Sequence, residues 1–274
     1  MNDPLPLPGW PQVLSFAASD PSSGAGIQAD LLTLASLGCH PLTVITALTA
    51  QDTVGVTSVR PVAAELLEQQ ARVLLNDMPV AAFKVGLLGS ADNARAVANI
   101  LADYPEIPLV LDPVLASGRG DILADEALIE AIGAALLPRT TLLTPNTAEA
   151  RRLAKQDGDT GELPLAICAQ RLIGMGASHV LLTGADDDTP EVVNTLYGPA
   201  GVIRADRWQR LPGSYHGSGC TLAAAIAAGL ASGAAIEKAV GDAQQYTWQT
   251  LAHGFRGGKG QWIPNRFFAL ARPA

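Results

Sequence analysis

What most constrains this chain is a change of hydrophobic period that recurs along its length. Short apolar runs at Val13–Ala17, Thr43–Ala47, Ala82–Val85, Leu109–Leu111, Leu142–Thr144 and Val180–Thr183 are too brief for helices. They do not alternate with polar residues, so they read as strands buried on both faces. Between them, Ile27–Leu37, Ala63–Leu75, Ala91–Asp103, Asp125–Leu136, Thr147–Lys155 and Leu165–Met175 carry helical periodicity. Ser90 is placed to cap the third, and Asn146 with Glu149 spells a capping box at the fifth. Parallel strands need helical crossovers, so the pattern predicts an α/β three-layer sandwich: a mostly parallel central sheet with helices on both faces.

Near residue 190 the pattern changes. Val192–Tyr197 and Val202–Ala205 flank Gly198-Pro199-Ala200-Gly201 and read as a hairpin, followed by helices over Thr221–Ala231 and Ala234–Thr250. The expected organisation is a Pro-rich segment, residues 1–12, before one domain over 13–274. With 18 Lys+Arg against 26 Asp+Glu, the net charge of −8 argues against nucleic acid or an anionic membrane as partner. Gly217 to Ile236 is uncharged until its end but is built of Ala, Gly and Ser, which suits a buried helix better than a membrane span. Cys39, Cys168 and Cys220 are odd in number and widely spaced, giving neither a disulfide framework nor a zinc site. A cytoplasmic location is the simplest expectation.

Two glycine-rich segments point to chemistry. In the first, Ser19 to Asp30, Gly24–Ala29 fits the dinucleotide fingerprint in letters, but six residues separate it from the preceding strand, where that fold has almost none. Small residues here would let a ligand approach backbone, and Asp30 would supply it a hydrogen bond. In the second, His216-Gly217-Ser218-Gly219-Cys220-Thr221 opens a helix. Successive N–H groups at a helix start form an anion site, and a cysteine there is expected to have a lowered pKa and to accept a proton as thiolate. No Walker A sequence exists, because Gly258-Lys259 is followed by Gly260. Asp112, Asn146 and Glu149 fall at strand ends, where α/β sheets bind ligands, and are expected in a metal–phosphate region.

The chain resembles the hydroxymethylpyrimidine/phosphomethylpyrimidine kinases of thiamine biosynthesis, in the ribokinase-like superfamily. The resemblance rests on Ser19-Asp20-Pro21 through Asp30, Val44 to Gln51, Lys84 to Ser90, Asp112-Pro113-Val114, Thr144-Pro145-Asn146 with Glu149, and His216 to Leu222. It implies a ribokinase-like sandwich, a homodimer, and ATP- and Mg²⁺-dependent phosphorylation of the pyrimidine's hydroxymethyl group, then of the monophosphate. By motif, Asp30, Gln51, Ala18, Ala25 and Val114 would bind the pyrimidine, and Gly217, Ser218, Gly219 and Cys220 would form the anion hole, with Cys220 as base. Asn146, Glu149 and Arg119 would meet the ATP phosphates, and Asp112 and Glu149 the metal.

Two departures stand out. Ala18 replaces a family glycine, and Thr183-Gly184-Ala185-Asp186 stands where the family has Lys-Gly-Gly-His. Arg119 is the first candidate to replace that lysine's charge. Two other readings compete: a pyridoxal kinase of the same superfamily, and a pyrimidine-binding regulatory protein.

Overall fold

A computed structural model describes residues 9–117, 120–185 and 189–270. Nine strands join one sheet: β1 (Gln12–Ser19), β2 (His40–Gln51), β3 (Val56–Pro61), β4 (Ala82–Val85), β5 (Leu109–Leu111), β6 (Leu142–Leu143), β7 (His179–Leu182), β8 (Glu191–Gly198) and β9 (Gly201–Gln209). Their order is β3-β2-β1-β4-β5-β6-β7-β8-β9. The six strands from β2 through β7 are parallel, while β3 pairs antiparallel at one edge and β8–β9 at the other. The six apolar runs therefore all become strands, and the hairpin forms where Gly198 to Gly201 turn the chain. This is the expected α/β architecture.

The helices are α1 (Gly26–Ser36), α2 (Ala64–Asp77), α3 (Ala91–Ala102), α4 (Glu126–Ala131), α5 (Thr147–Ala154), α6 (Leu165–Gly174), α7 (Ser218–Ala231) and α8 (Ile236–Ala252). Strand β3 is not marked by an apolar run, because an edge strand carrying Ser58 and Arg60 buries little and shows no continuous hydrophobic signal. The fourth helix ends early, at Ala131, and continues as a π-turn over Ile132–Leu136. No helix among the described residues is long and apolar enough to cross a membrane.

Side-chain alternation along the strands divides the core. Leu14, Phe16, Phe83, Val85, Leu109 and Leu111 pack with Leu67, Val97, Leu128 and Leu172 on one face. Val13, Ala82, Val110 and Leu142 pack with Ala223, Ala227 and Val240 on the other. The period of two then dictates that Ser15, Lys84 and Asp112 share the face of Val13, Ala82 and Val110. They point at α1 and α7. The alanine-rich α7 lies close to the sheet because its buried side chains are mostly methyls.

Candidate active site

Three buried charges meet where β1, β4 and β5 end. Lys84 Nζ donates to Asp30 Oδ2 at 2.9 Å, both side chains being 0% exposed. Asp112 is 5% exposed, and its Oδ2 has no hydrogen-bond partner. Burial raises the Asp112 pKa to about 6, against the pull of Lys84 and a hydrogen bond from the Cys220 thiol. Burial also raises Asp30, opposed first by Lys84. Burial would depress Lys84, but the charges of Asp30, Cys220 and Asp112 prevail and hold it above its ordinary value. An apolar strand can hold a lysine because these carboxylates surround it.

Above this cluster stands the start of α7. Gly217 is the N-cap residue at φ +78°, and Ser218, Gly219 and Cys220 form the first three helical positions. Their N–H groups precede the first intrahelical bond, which Thr221 N–H makes to Gly217 O at 3.0 Å. The helix thus begins three residues earlier than its sequence predicts, because Gly217 turns the chain by backbone geometry and leaves no side-chain cap to read. A Cβ on Gly217 would overlap the Gly24 carbonyl and lie 2.8 Å from Ala25 Cα. A Cβ on Gly219 would sit 4.0 Å from Asp112 Oδ1, so the turn and the carboxylate share one space.

The loop from Asp20 to Ala25 is locked against that turn. Asp20 is fully buried and accepts from Ser22 N–H at 2.8 Å, Ala25 N–H at 2.7 Å and His216 Nε2 at 2.8 Å. Burial would raise its pKa, but His216 and the loop N–H groups outweigh this and hold it below the ordinary carboxylate value. Ala18, Ala47 and Leu87 then form a small apolar cluster with Val59, Val114 and Leu123 packed on it. Gln51 lies half-buried at the end of β2, its Nε2 donating to Thr49 Oγ1 at 2.8 Å, and Ala25 is half-buried beside the Gly217 turn.

The Asp30 carboxylate is fully buried: its Oδ2 accepts from Lys84, and its Oδ1 has no hydrogen-bond partner. One expectation needs correction. The Cys220 thiol is not a lowered one. Burial, with Asp112 and Asp30 adding to it, pushes its pKa up to about 12, against the lowering influence of Lys84. The helix start favours thiolate, but desolvation and neighbouring carboxylates win.

At the ends of β6 and β7 the polar groups satisfy one another. Asn146 Oδ1 accepts Glu149 N–H at 2.8 Å, and Glu149 Oε2 accepts Asn146 N–H at 3.0 Å, the expected capping box. Glu149 Oε1 accepts Leu115 N–H at 3.2 Å, tying α5 to the loop after β5. Glu149 is engaged by the backbone N–H groups of Leu115 and Asn146, and Asp112 lies against Lys84 and Cys220. Among the described residues no group of three His, Cys, Asp or Glu side chains could hold a metal ion. Thr183 donates its N–H to Pro145 O at 3.0 Å. Gly184 N–H donates to Asn194 Oδ1 at 3.1 Å. Arg119 lies outside the described residues.

Residues 20–265 match the phosphomethylpyrimidine kinase family. The chain belongs to this family. It is 37% identical over 268 residues to the hydroxymethylpyrimidine/phosphomethylpyrimidine kinase of Streptomyces coelicolor, covering 95% of this chain and 96% of that one. It is 39% identical over 263 residues to the enzyme of the same name from Synechococcus elongatus, covering 95% and 98%. Among solved structures, a pyridoxal kinase from Staphylococcus aureus in complex with pyridoxal superposes with a TM-score of 0.85 at 27% identity, covering 95% of each chain. A phosphomethylpyrimidine kinase from Clostridium difficile gives 0.75 at 31% identity, covering 88% of this chain and 99% of that one. The fold is the ribokinase-like one these kinases share, and the chain is a phosphotransferase.

Two further residues, Lys84 and Arg266, hold this region together. Lys84 carries a visible signal, since a charged residue inside an apolar strand needs a buried partner. Arg266, 3% exposed, bonds to both glycine-rich segments from the C-terminal tail, and no local pattern marks it.

Proposed function

We propose that this kinase transfers a phosphoryl group from ATP to the hydroxymethyl group of 4-amino-5-hydroxymethyl-2-methylpyrimidine, and a second to the resulting monophosphate, in thiamine biosynthesis. The observation that carries the reading is the α7 start: Ser218, Gly219 and Cys220 open the helix with no side-chain cap on their N–H groups, and Gly219 stands beside Asp112 Oδ1. Such donors stabilise charge that develops on a transferring phosphoryl group. The pyrimidine lies against Ala18, Ala25 and Val114, with Gln51 reading its polar edge. The capped start of α5 at Asn146, with Arg119, meets the nucleotide phosphates. Magnesium enters with those phosphates and waters, which suits an ion that needs few protein ligands and supplies charge neutralisation.

The alcohol's proton must leave as the new P–O bond forms. A thiol with a pKa of about 12 is a poor acceptor alone. Cys220 therefore passes its proton to Asp112 while taking the alcohol's, so the pair gains one proton in total. Ionised Asp112 is required, and its pKa of about 6 sets the profile: alcohol phosphorylation rises with pH through about 6 and is level above it. A profile flat from pH 5 to 7 (about one unit either side) would contradict this relay.

Identity to pyrimidine kinases of 31–39%, against 26–27% to pyridoxal kinases, favours the pyrimidine as acceptor. ATP consumption by purified protein with the pyrimidine alcohol, its monophosphate and pyridoxal tests it. Turnover of both pyrimidines above pyridoxal is expected; faster turnover of pyridoxal would reassign the substrate, and pyrimidine binding without ATP consumption would make the chain a regulatory protein. A cytoplasmic homodimer is the form in which we propose it works.

A further inference from the structure

The C-terminal tail wraps across the site. Gly260 N–H donates to Thr53 Oγ1 at 3.1 Å and Gln261 N–H to Thr53 O at 2.8 Å, just beyond Gln51. Trp262 O then accepts His216 N–H at 2.8 Å. The Arg266 carbonyl accepts Tyr246 Oη at 2.9 Å, and that hydroxyl lies 2.6 Å from Ser36 Oγ on α1. These bonds deliver the Arg266 side chain between the two glycine-rich segments. Its Nη1 donates to Ser23 O at 3.2 Å, its Nη2 to Gly24 O at 2.6 Å and its Nε to Thr221 Oγ1 at 3.2 Å. Thr221 Oγ1 in turn donates to Gly217 O at 2.8 Å, the N-cap carbonyl of the anion turn.

Every one of these acceptors is neutral. Among the described residues no carboxylate lies within ion-pair distance of Arg266; Asp20 is engaged by His216 and Asp30 by Lys84. The charges of Asp30 and Asp20 act on the guanidinium from beyond contact and do not outweigh its burial, a cost that is offset further when an anion arrives nearby. A planar fork also suits the task of holding three acceptors at fixed spacing, which a lysine cannot do.

We infer that Arg266 is a positioning residue for phosphotransfer: it fastens the Ser23–Gly24 loop to the first turn of α7 and keeps a positive charge behind the anion turn. This rests on reading Gly217–Cys220 as a phosphate cradle. It gives the anion turn a buried cation from the side of the Ser23–Gly24 loop. Asp20–His216 ties the same two segments, so the loop stays attached when Arg266 is changed and the charge is what is lost.

The test is steady-state kinetics of Arg266→Ala with added guanidinium or urea, two small molecules of the same shape, one charged and one neutral. We expect kcat to fall about 10- to 100-fold, the range seen when a group that orients a direct contact is removed, with KM for the pyrimidine little changed. Guanidinium should restore kcat and urea should not. A folded variant with kcat near wild type, or equal restoration by urea, would overturn the inference. If Arg266→Ala does not fold, Arg266→Lys and Arg266→Met occupy the space with and without charge. Lys is expected to exceed Met by about tenfold in kcat, roughly one charge-assisted contact, and equal rates overturn the inference. A wild-type chain inactive on every pyrimidine would instead sink the proposed substrate. The rise in melting temperature with inorganic phosphate then decides: it should be present in wild type and lost in the Arg266 variant, and an equal rise in both overturns the role.

Discussion

Around the starts of α1 and α7 gather Asp20, Asp30, Lys84, Asp112 and Arg266, all buried, with Asp30–Lys84 and Asp20–His216 paired and Arg266 forked between two loops. At the ends of β6 and β7, by contrast, Asn146, Glu149, Thr183 and Gly184 mostly bond to neighbouring backbone, and what they fix is the loop itself. The first region resists rearrangement because moving any charge strands another in low dielectric. The second is a scaffold of caps. On the proposed function, the difference puts the catalytic field on the phosphoryl-accepting side, prepared before substrates arrive, and leaves the nucleotide side to contribute mainly shape and backbone donors.

Changes on the charged side should therefore cost far more than changes on the capped side. The largest effect is expected for Gly217→Ala, whose methyl meets the Gly24 carbonyl at a positive φ. Losing the turn removes several donors, so kcat/KM should fall by at least about 10²-fold, with circular dichroism confirming the fold. Activity within threefold of wild type would show that the turn adapts. Next, Lys84→Met leaves Asp30 buried without its partner and should lower unfolding free energy by about 3–5 kcal/mol in urea titrations. Adding Asp30→Asn should recover much of that loss; independent effects in the double-mutant cycle would refute the pairing. The smallest effect on kcat belongs to Asn146→Ala, which removes one cap, should cost about 1 kcal/mol of stability, and should act on KM for ATP rather than on kcat. A large fall in kcat there would erase the contrast between the two regions.

Much of this was legible in the chain. Strands buried on both faces write themselves as unbroken apolar runs, so β1, β4 and β5 were visible and fixed which strand ends converge. The anion turn was visible through its glycines, although its first helical residue was set three positions late. The role of Asp30 was not legible, because its partner lies 54 residues away and only strand parity brings them together. The Cys220 thiol misled for a related reason: a helix start is local and readable, whereas burial and the charges of Asp112 and Asp30 are tertiary. β3 and the Arg266 tail gave no local signal, since an edge strand and an irregular strap bury too little to show a period.

In the proposed relay the prepared charges at the start of α7 serve proton removal from an alcohol, and one variant isolates that step. Cys220→Ala keeps the N–H groups of the turn and removes only the thiol beside Asp112. The alcohol acceptor must lose a proton, while the phosphate acceptor is already anionic near neutral pH. Single-turnover rates of the variant with the pyrimidine alcohol and with its monophosphate compare the two directly. The account predicts a fall of about 10²–10⁴-fold for the alcohol and less than about tenfold for the monophosphate. An equal fall for both would contradict it, and would make Cys220 a part of the turn's shape.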